Sequence, residues 1–183
     1  FSFDPETGDI YIPDVGSEYI EELNVVKYGD FNNFLNFGAG CFEGSYRIYD
    51  KHYEDALNTE KICLKNINNP LIKMVEPKLQ YFHDSLIWTN KNYGNSIIGG
   101  VVYKNKDSIW HNHYFFGDHI SSNIWYLDTS KKNYIGINLF FSEYFGLTSI
   151  NQVDDKLLAT SIMGIIYEID LPDKKNLEKS IYN

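Results

Sequence analysis

HYFFGDHISSNIWYLD, residues 113–128, is the stretch from which the fold is read. Two short apolar runs, His113 to Asp118 and Asn123 to Asp128, flank a polar turn, which is the pattern of an antiparallel hairpin. The same phrase occurs three times. An earlier copy runs Asp9 to Asp14 (DIYIPD) and leads into EELNVV at 21–26; a later one runs Lys156 to Ser161 (KLLATS) and leads into IIYEID at 165–170. The second and third copies lie roughly 40 residues apart, and a period of about 40–45 residues with several strands per unit is characteristic of β-propeller blades. Around 113–128, SIIGGVVYK supplies a strand before and YIGINLFF one after, and four successive strands make a blade. The expected fold is all-β.

Working outward, Pro5-Glu6-Thr7-Gly8 is a turn, with Pro setting φ and Gly relaxing the exit. Blade strands are expected over 1–28, a second blade over 96–141, a last one over 147–171, and a charged tail over 172–183. Between the first two, residues 29–95 lose any steady period. They read as a long, largely irregular excursion with one helical turn around His52 to Asn58 and a strand near Leu79 to His83. A loop of that length in a compact domain is usually functional or stapled.

Composition narrows the partners. Aromatic residues make up 16%, led by 15 Tyr and 12 Phe, which favours strands. The net charge of −9 opposes nucleic acid or an anionic membrane as a partner, and Arg47 is the single arginine. No apolar run reaches the roughly 18–20 residues of a membrane span. A chain that opens on Phe1 reads as processed or partial, so the lack of a leader says nothing about compartment. Cys41 and Cys63 sit in no CxxC pair and near no histidine at ligand spacing, which disfavours zinc and leaves either a disulfide or two buried thiols.

Five ordered pieces carry a resemblance: DPETGDIYIPDVGSEYIEELNVV, CFEG, GNSIIGGVVYK, HYFFGDHISSNIWYLD and DDKLLATSIMGIIYEIDL. Together they resemble the glucose/sorbosone dehydrogenase family, which includes the quinoprotein aldose sugar dehydrogenases and the similar propeller of Hedgehog-interacting proteins. The likeness covers Phe3 to Leu171 and matches the C-terminal half of a six-bladed β-propeller, about three blades. It implies a Cys41–Cys63 disulfide and an extracytoplasmic (periplasmic or secreted) location. It also implies pyrroloquinoline quinone and Ca²⁺ as cofactors. Backbone oxygens of Gly16 and Ser17 would be the Ca²⁺ ligands, with Glu21 and Glu22 just beyond, oxygen being the right donor for calcium. On the plainer reading, Gly16 only closes a hairpin and Glu21 is a solvated strand residue. The family's catalytic histidine lies in its N-terminal half, so no catalytic residue is assigned.

Departures from the family pattern bear on the cofactor. Its three carboxylates ask for arginine or lysine, yet SEYFGLTSIN, on the strand entering the last blade, carries no cation. Where the family has a sequence like GGNYGWP, this chain reads GDFNNFLNF.

Other residue groups were weighed against structural roles. His111 and His113 would share a face of a strand with His119 nearby, but no carboxylate-rich partner accompanies them. His83 is expected to be a packed or hydrogen-bonded histidine, Asp14 and Asp118 to bond amides of the turns they precede, and Trp125 to be core. Trp88, Tyr93 and Trp110 form a conceivable carbohydrate platform, with core packing the simpler reading.

Two functions of different class follow. One is a quinoprotein sugar dehydrogenase, an oxidoreductase acting on a small aldose sugar and requiring an N-terminal half not present in these residues. The alternative is a cofactor-less propeller acting as a protein-binding or assembly module. In either case the open blade edge is expected to meet the N-terminal half of the same propeller or another chain.

Overall fold

The protein is described here by a computed structural model over residues 1–17, 19–48, 56–83, 94–130 and 146–172. The fold is all-β and propeller-blade-like: small, mostly antiparallel sheets with one α-helix among the described residues. The chain divides into two compact units, Phe1–Ile97 and Ile98–Asn183.

In the first unit β1 (Ser2–Phe3), β2 (Ile10–Asp14) and β3 (Ile20–Val26) follow one another as antiparallel neighbours, the β2–β3 register running from Ile10 opposite Val26 to Asp14 opposite Glu22. The turn from β1 to β2 is tied by the Asp4 carboxylate, which accepts the Glu6 and Thr7 N–H groups at 2.9 and 3.3 Å. Gly8 leaves that turn at φ +75°, where a side chain would be strained and would also run into Tyr28. Strand β3 does not end the sheet. β8 (Leu79–Phe82) pairs antiparallel with it, Glu21 opposite Tyr81, giving the order β1-β2-β3-β8. The excursion therefore leaves one sheet and returns to the same sheet.

It is also more ordered than its sequence suggests. A 3-10 turn at Tyr28–Asp30 precedes β4 (Phe34–Asn36), which runs parallel to β7 (Ile72–Met74); β5 (Phe42–Glu43) and β6 (Tyr46–Arg47) form a small hairpin. In place of the single helical turn expected around His52 to Asn58 stands α1, twelve residues over Ala56–Ile67. Its Ala, Leu, Glu and Lys are good helix formers, and Ala56, Leu57, Cys63, Leu64 and Ile67 recur at helical spacing along one side. Ile62 and Leu64 point to solvent, while Cys63 is buried. The expected disulfide joins Cys63 to Cys41, Cα to Cα 5.7 Å, with Phe42 and Ile67 packed around it. A covalent anchor thus fixes the side of the helix on which Cys63 and Ile67 lie.

Among the described residues the second unit holds two three-stranded sheets; the strand expected at YIGINLFF lies outside the described residues. One has β9 (Ile97–Val102), β10 (His113–Asp118) and β11 (Ile124–Asp128) in that order. The other has β12 (Leu147–Val153), β13 (Lys156–Ser161) and β14 (Ile166–Ile169). Each later copy of the repeated phrase is thus a hairpin, with Phe116 opposite Trp125 in one and Ala159 opposite Tyr167 in the other. Period-2 alternation sends Phe115, Ile124 and Tyr126 to one face, where they pack with Leu147, Ile150, Leu157, Ala159 and Ile169 of the other sheet. Tyr114, Phe116, Trp125 and Leu127 on the opposite face are equally buried, as expected for Trp125. At Gly100 the Phe115 carbonyl oxygen would lie 2.0 Å from a Cβ, so the GG of SIIGGVVYK is a backbone-approach requirement.

Candidate functional site

The turn between β2 and β3 carries the Gly16-Ser17 pair, and its sequence leaves little freedom. A Cβ on Gly16 would sit 1.9 Å from the Ile20 carbonyl oxygen, so the turn closes only with glycine there. Its amides are gathered by Glu43, at the end of β5 and 6% exposed. Glu43 Oε1 accepts the Ser17 N–H at 2.7 Å and the Ser17 hydroxyl, while Oε2 accepts the N–H groups of Tyr19 at 2.8 Å and Ile20 at 3.3 Å. The CFEG stretch, noted in the sequence only as a landmark, thus supplies the carboxylate that shapes this turn.

In the second copy the job falls to the phrase's own acid. Asp118, fully buried, accepts the Ile120 and Ser121 N–H groups at 2.9 and 2.8 Å, as expected. Asp14 stands at the equivalent place in the first copy but lines a cavity instead.

That cavity, of about 260 Å³, is bounded by Asp14, Gly16, Ser17, Glu22 and Glu43 together with Gly40, Phe42 and Ile48. Burial pushes the Glu22 carboxyl above its ordinary value, the charges of Asp14 and Glu43 add in the same direction, and hydrogen bonds from Asn24 and the Gly44 N–H partly offset them. The folded chain thus holds more protons than the unfolded one just above the ordinary glutamate pKa, so this carboxyl makes stability fall as pH rises through that window. Glu22→Gln keeps an oxygen for the Asn24 amide and removes the charge. It is expected to raise Tm by a few degrees at pH 7, the gain shrinking towards pH 4, as thermal melts at both pH values will show.

Glu21, one residue earlier on the other face of β3, is not the solvated residue of the plainer reading. It is fully buried, with Oε1 2.5 Å from His83 Nε2 and Oε2 accepting the Ile97 N–H at 2.8 Å. His83 is therefore the hydrogen-bonded histidine expected.

The remaining residues do not converge on a site. His111 lies before β10 rather than on it, and Asn112 at φ +65° breaks the alternation that would have put His111 and His113 on one face. His113 Nδ1 faces the His111 carbonyl at 3.2 Å, and His119 Nδ1 the Leu147 carbonyl at 2.9 Å. Trp110 is 3% exposed and donates its indole N–H to the Pro172 carbonyl at 2.8 Å, so it offers no open ring to a sugar; Trp88 and Tyr93 lie outside the described residues. A larger cavity of about 420 Å³ opens in the second unit near Asn105, Trp110 and Asp155. Its carboxylates are exposed, and Glu168 is paired to Lys156 at 2.8 Å. The smaller cavity, with buried acids and a clamped turn, is the more constructed of the two.

The residues present can be set against the cofactors that the resemblance implies. Among the described residues lining the smaller cavity there is no lysine or arginine, and its three carboxylates oppose a quinone that itself carries three. Oxygen donors suit Ca²⁺ in kind, but among the described residues no three carboxylate, imidazole or thiol groups converge to hold an ion. The quinone does not fit here.

No helix among the described residues is long and apolar enough to cross a membrane. Comparison with known proteins finds no matching family model and no matching curated protein. Among solved structures, one described as the crystal structure of glucose dehydrogenase matches with a TM-score of 0.60 at 14% identity, over 93% of this chain and 43% of its own. Another described as glucose dehydrogenase matches with a TM-score of 0.59 at 15% identity, over 93% and 42%. The chain spans less than half the length of these structures, and at such identity the likeness is one of fold: it is distantly similar to glucose dehydrogenases.

Proposed function

We propose that this chain is part of a glucose dehydrogenase-like propeller that serves as a protein-binding or assembly module rather than as a quinone-dependent oxidoreductase. One observation carries the reading. The cavity beside Gly16 and Ser17, where the resemblance would place the cofactor's Ca²⁺, is lined by Asp14, Glu22 and Glu43 with no cation among its described lining residues. A quinone tricarboxylate would meet like charge there. Fold alone does not fix function, and the sheets can stand without a cofactor between them. The Cys41–Cys63 disulfide favours an extracytoplasmic setting.

The fold likeness supports the second reading, an aldose-oxidising quinoprotein whose catalytic histidine lies outside these residues. The two part company in one experiment. The protein is titrated with pyrroloquinoline quinone in the presence of Ca²⁺, following quinone absorbance and then dye reduction on adding glucose. The expected result is no saturable absorbance change and no reduction. Saturable binding at micromolar quinone would overturn the proposal, and binding with glucose-dependent dye reduction would establish the enzyme.

A further inference from the structure

Hairpins ordinarily turn through polar residues, and the one joining β13 to β14 does not. Residues 161–166 read SIMGII, with Ile162 66%, Met163 71% and Ile165 42% exposed. The neighbouring sheet brings a further aliphatic side chain to the same end. Gly146 donates its N–H to the His119 carbonyl and accepts the Ile162 N–H at 2.8 Å. The turn after β10, which carries the half-exposed Ile120, therefore lies against the base of the hairpin. Ile120, Ile162, Met163 and Ile165 project from one end of the second unit, and apolar groups gathered in this way mark a contact surface.

Two properties of this end match hydrocarbon. The first is charge. The stretches that meet there, 119–127, 146–153 and 157–167, contain no Asp, Glu, Lys or Arg, in a chain of which 22% is charged. The turn at the other end of the same sheet, by contrast, holds Asp154 and Asp155. His119 turns its Nδ1 to the Leu147 carbonyl at 2.9 Å. The second property is the backbone. The N–H groups of Ser161, Ile162, Met163 and Gly164 donate in turn to the Ile165 carbonyl, the Gly146 carbonyl, the Ser161 hydroxyl and the Ser161 carbonyl. Gly164 takes φ +77° within this turn. A turn in water can leave such amides to solvent. One that enters a bilayer must satisfy them internally, since an unpaired N–H finds no partner there.

We infer that Ile120, Ile162, Met163 and Ile165 insert into a lipid surface whose headgroups carry no net charge. The neutral surface follows from the chain's net charge of −9, which an anionic leaflet repels. A protein face is the poorer match, because protein interfaces are rimmed by polar and charged pairs and this end has no charge to join such a rim. The contact is peripheral, made by the tip of a hairpin, and needs no spanning segment. The inference goes beyond the absence of a quinone and is independent of it, so the quinone titration and the lipid test fail separately.

The test is sedimentation of the 183-residue chain with phosphatidylcholine vesicles, for which saturable binding is expected below millimolar lipid. Met163→Asp places a charge at the apex, and Val153→Asp places one at a site 52% exposed at the opposite end of the same sheet. Both positions are open, so both variants should melt as the parent does. Met163→Asp should weaken vesicle binding by about tenfold or more, and Val153→Asp should change it by less than about twofold. A fluorophore attached through Met163→Cys should be quenched by iodide in the free protein and by brominated acyl chains once vesicles are present. Failure to bind at millimolar phosphatidylcholine would overturn the inference. So would binding confined to vesicles containing phosphatidylserine, or binding that Met163→Asp leaves intact. A label already shielded from iodide without lipid would overturn it as well. Shielding that survives dilution would assign the tip to the chain's own residues, and shielding lost on dilution to a second copy.

Discussion

Glu43→Ala is expected to cost about 4 kcal/mol of stability, the largest single-residue effect foreseen outside the apolar core. The carboxylate is buried and gathers the N–H groups of Ser17, Tyr19 and Ile20 and the Ser17 hydroxyl. Bonds to a charged acceptor contribute roughly 1.5–3 kcal/mol each, offset by the cost of keeping a carboxylate out of water. The turn has no second way to arrange those amides, because Gly16 is already closed against the Ile20 carbonyl. Glu43→Gln separates charge from shape. One of its two positions becomes an amide nitrogen set against N–H donors, so a loss of about 2 kcal/mol is expected. Urea unfolding followed by circular dichroism measures both. A loss under about 1 kcal/mol in the alanine variant would show that the turn holds itself.

The second large effect concerns the disulfide. Cys41 and Cys63 close a loop with a sequence separation of 22, and tying such a loop in the unfolded chain stabilises by about 3 kcal/mol on a chain-entropy account. Among the described side chains of α1, Ile62 and Leu64 face solvent, while Cys63 and Ile67 pack at the disulfide. Paired replacement with serine, or a reductant, should therefore lower the urea midpoint and release the helical signal first. Limited proteolysis within 56–67 gives an independent readout. Equal cleavage of oxidised and reduced protein would contradict the assignment of this bond as the main anchor.

The strands were legible because each does one thing. HYFFGD, KLLATS and DIYIPD alternate or run apolar between turn residues, and all three became strands paired to their successors. The helix was legible only in part, because Ala56, Leu57, Cys63, Leu64 and Ile67 do recur at helical spacing but the polar run from Asn58 to Lys61 thins the signal. The attachment of β8 to β3 was not legible, because its partners are separated by some 50 residues of excursion and share no local signal. At the site, Gly16 and Asp14 were visible but the residue that organises them was not. An acid flanked by glycine beside a paired cysteine was the available sign, and it marked Glu43. The histidine pair failed for a backbone reason, since a single left-handed residue, Asn112, inverts what alternation predicts.

The return of the excursion to its own sheet has a consequence for biosynthesis. At roughly 5–20 residues per second, the ribosome needs several seconds to pass from Val26 to Leu79. During that interval β1, β2 and β3 exist without β8, and the side of β3 destined to be covered is bare, including Glu21 ahead of its His83 partner. Both cysteines emerge within the same interval. Oxidation can thus fold the excursion into a short tether before the last strand arrives, and the vulnerable period of this nascent chain is set by the order of its residues rather than by the strength of its contacts.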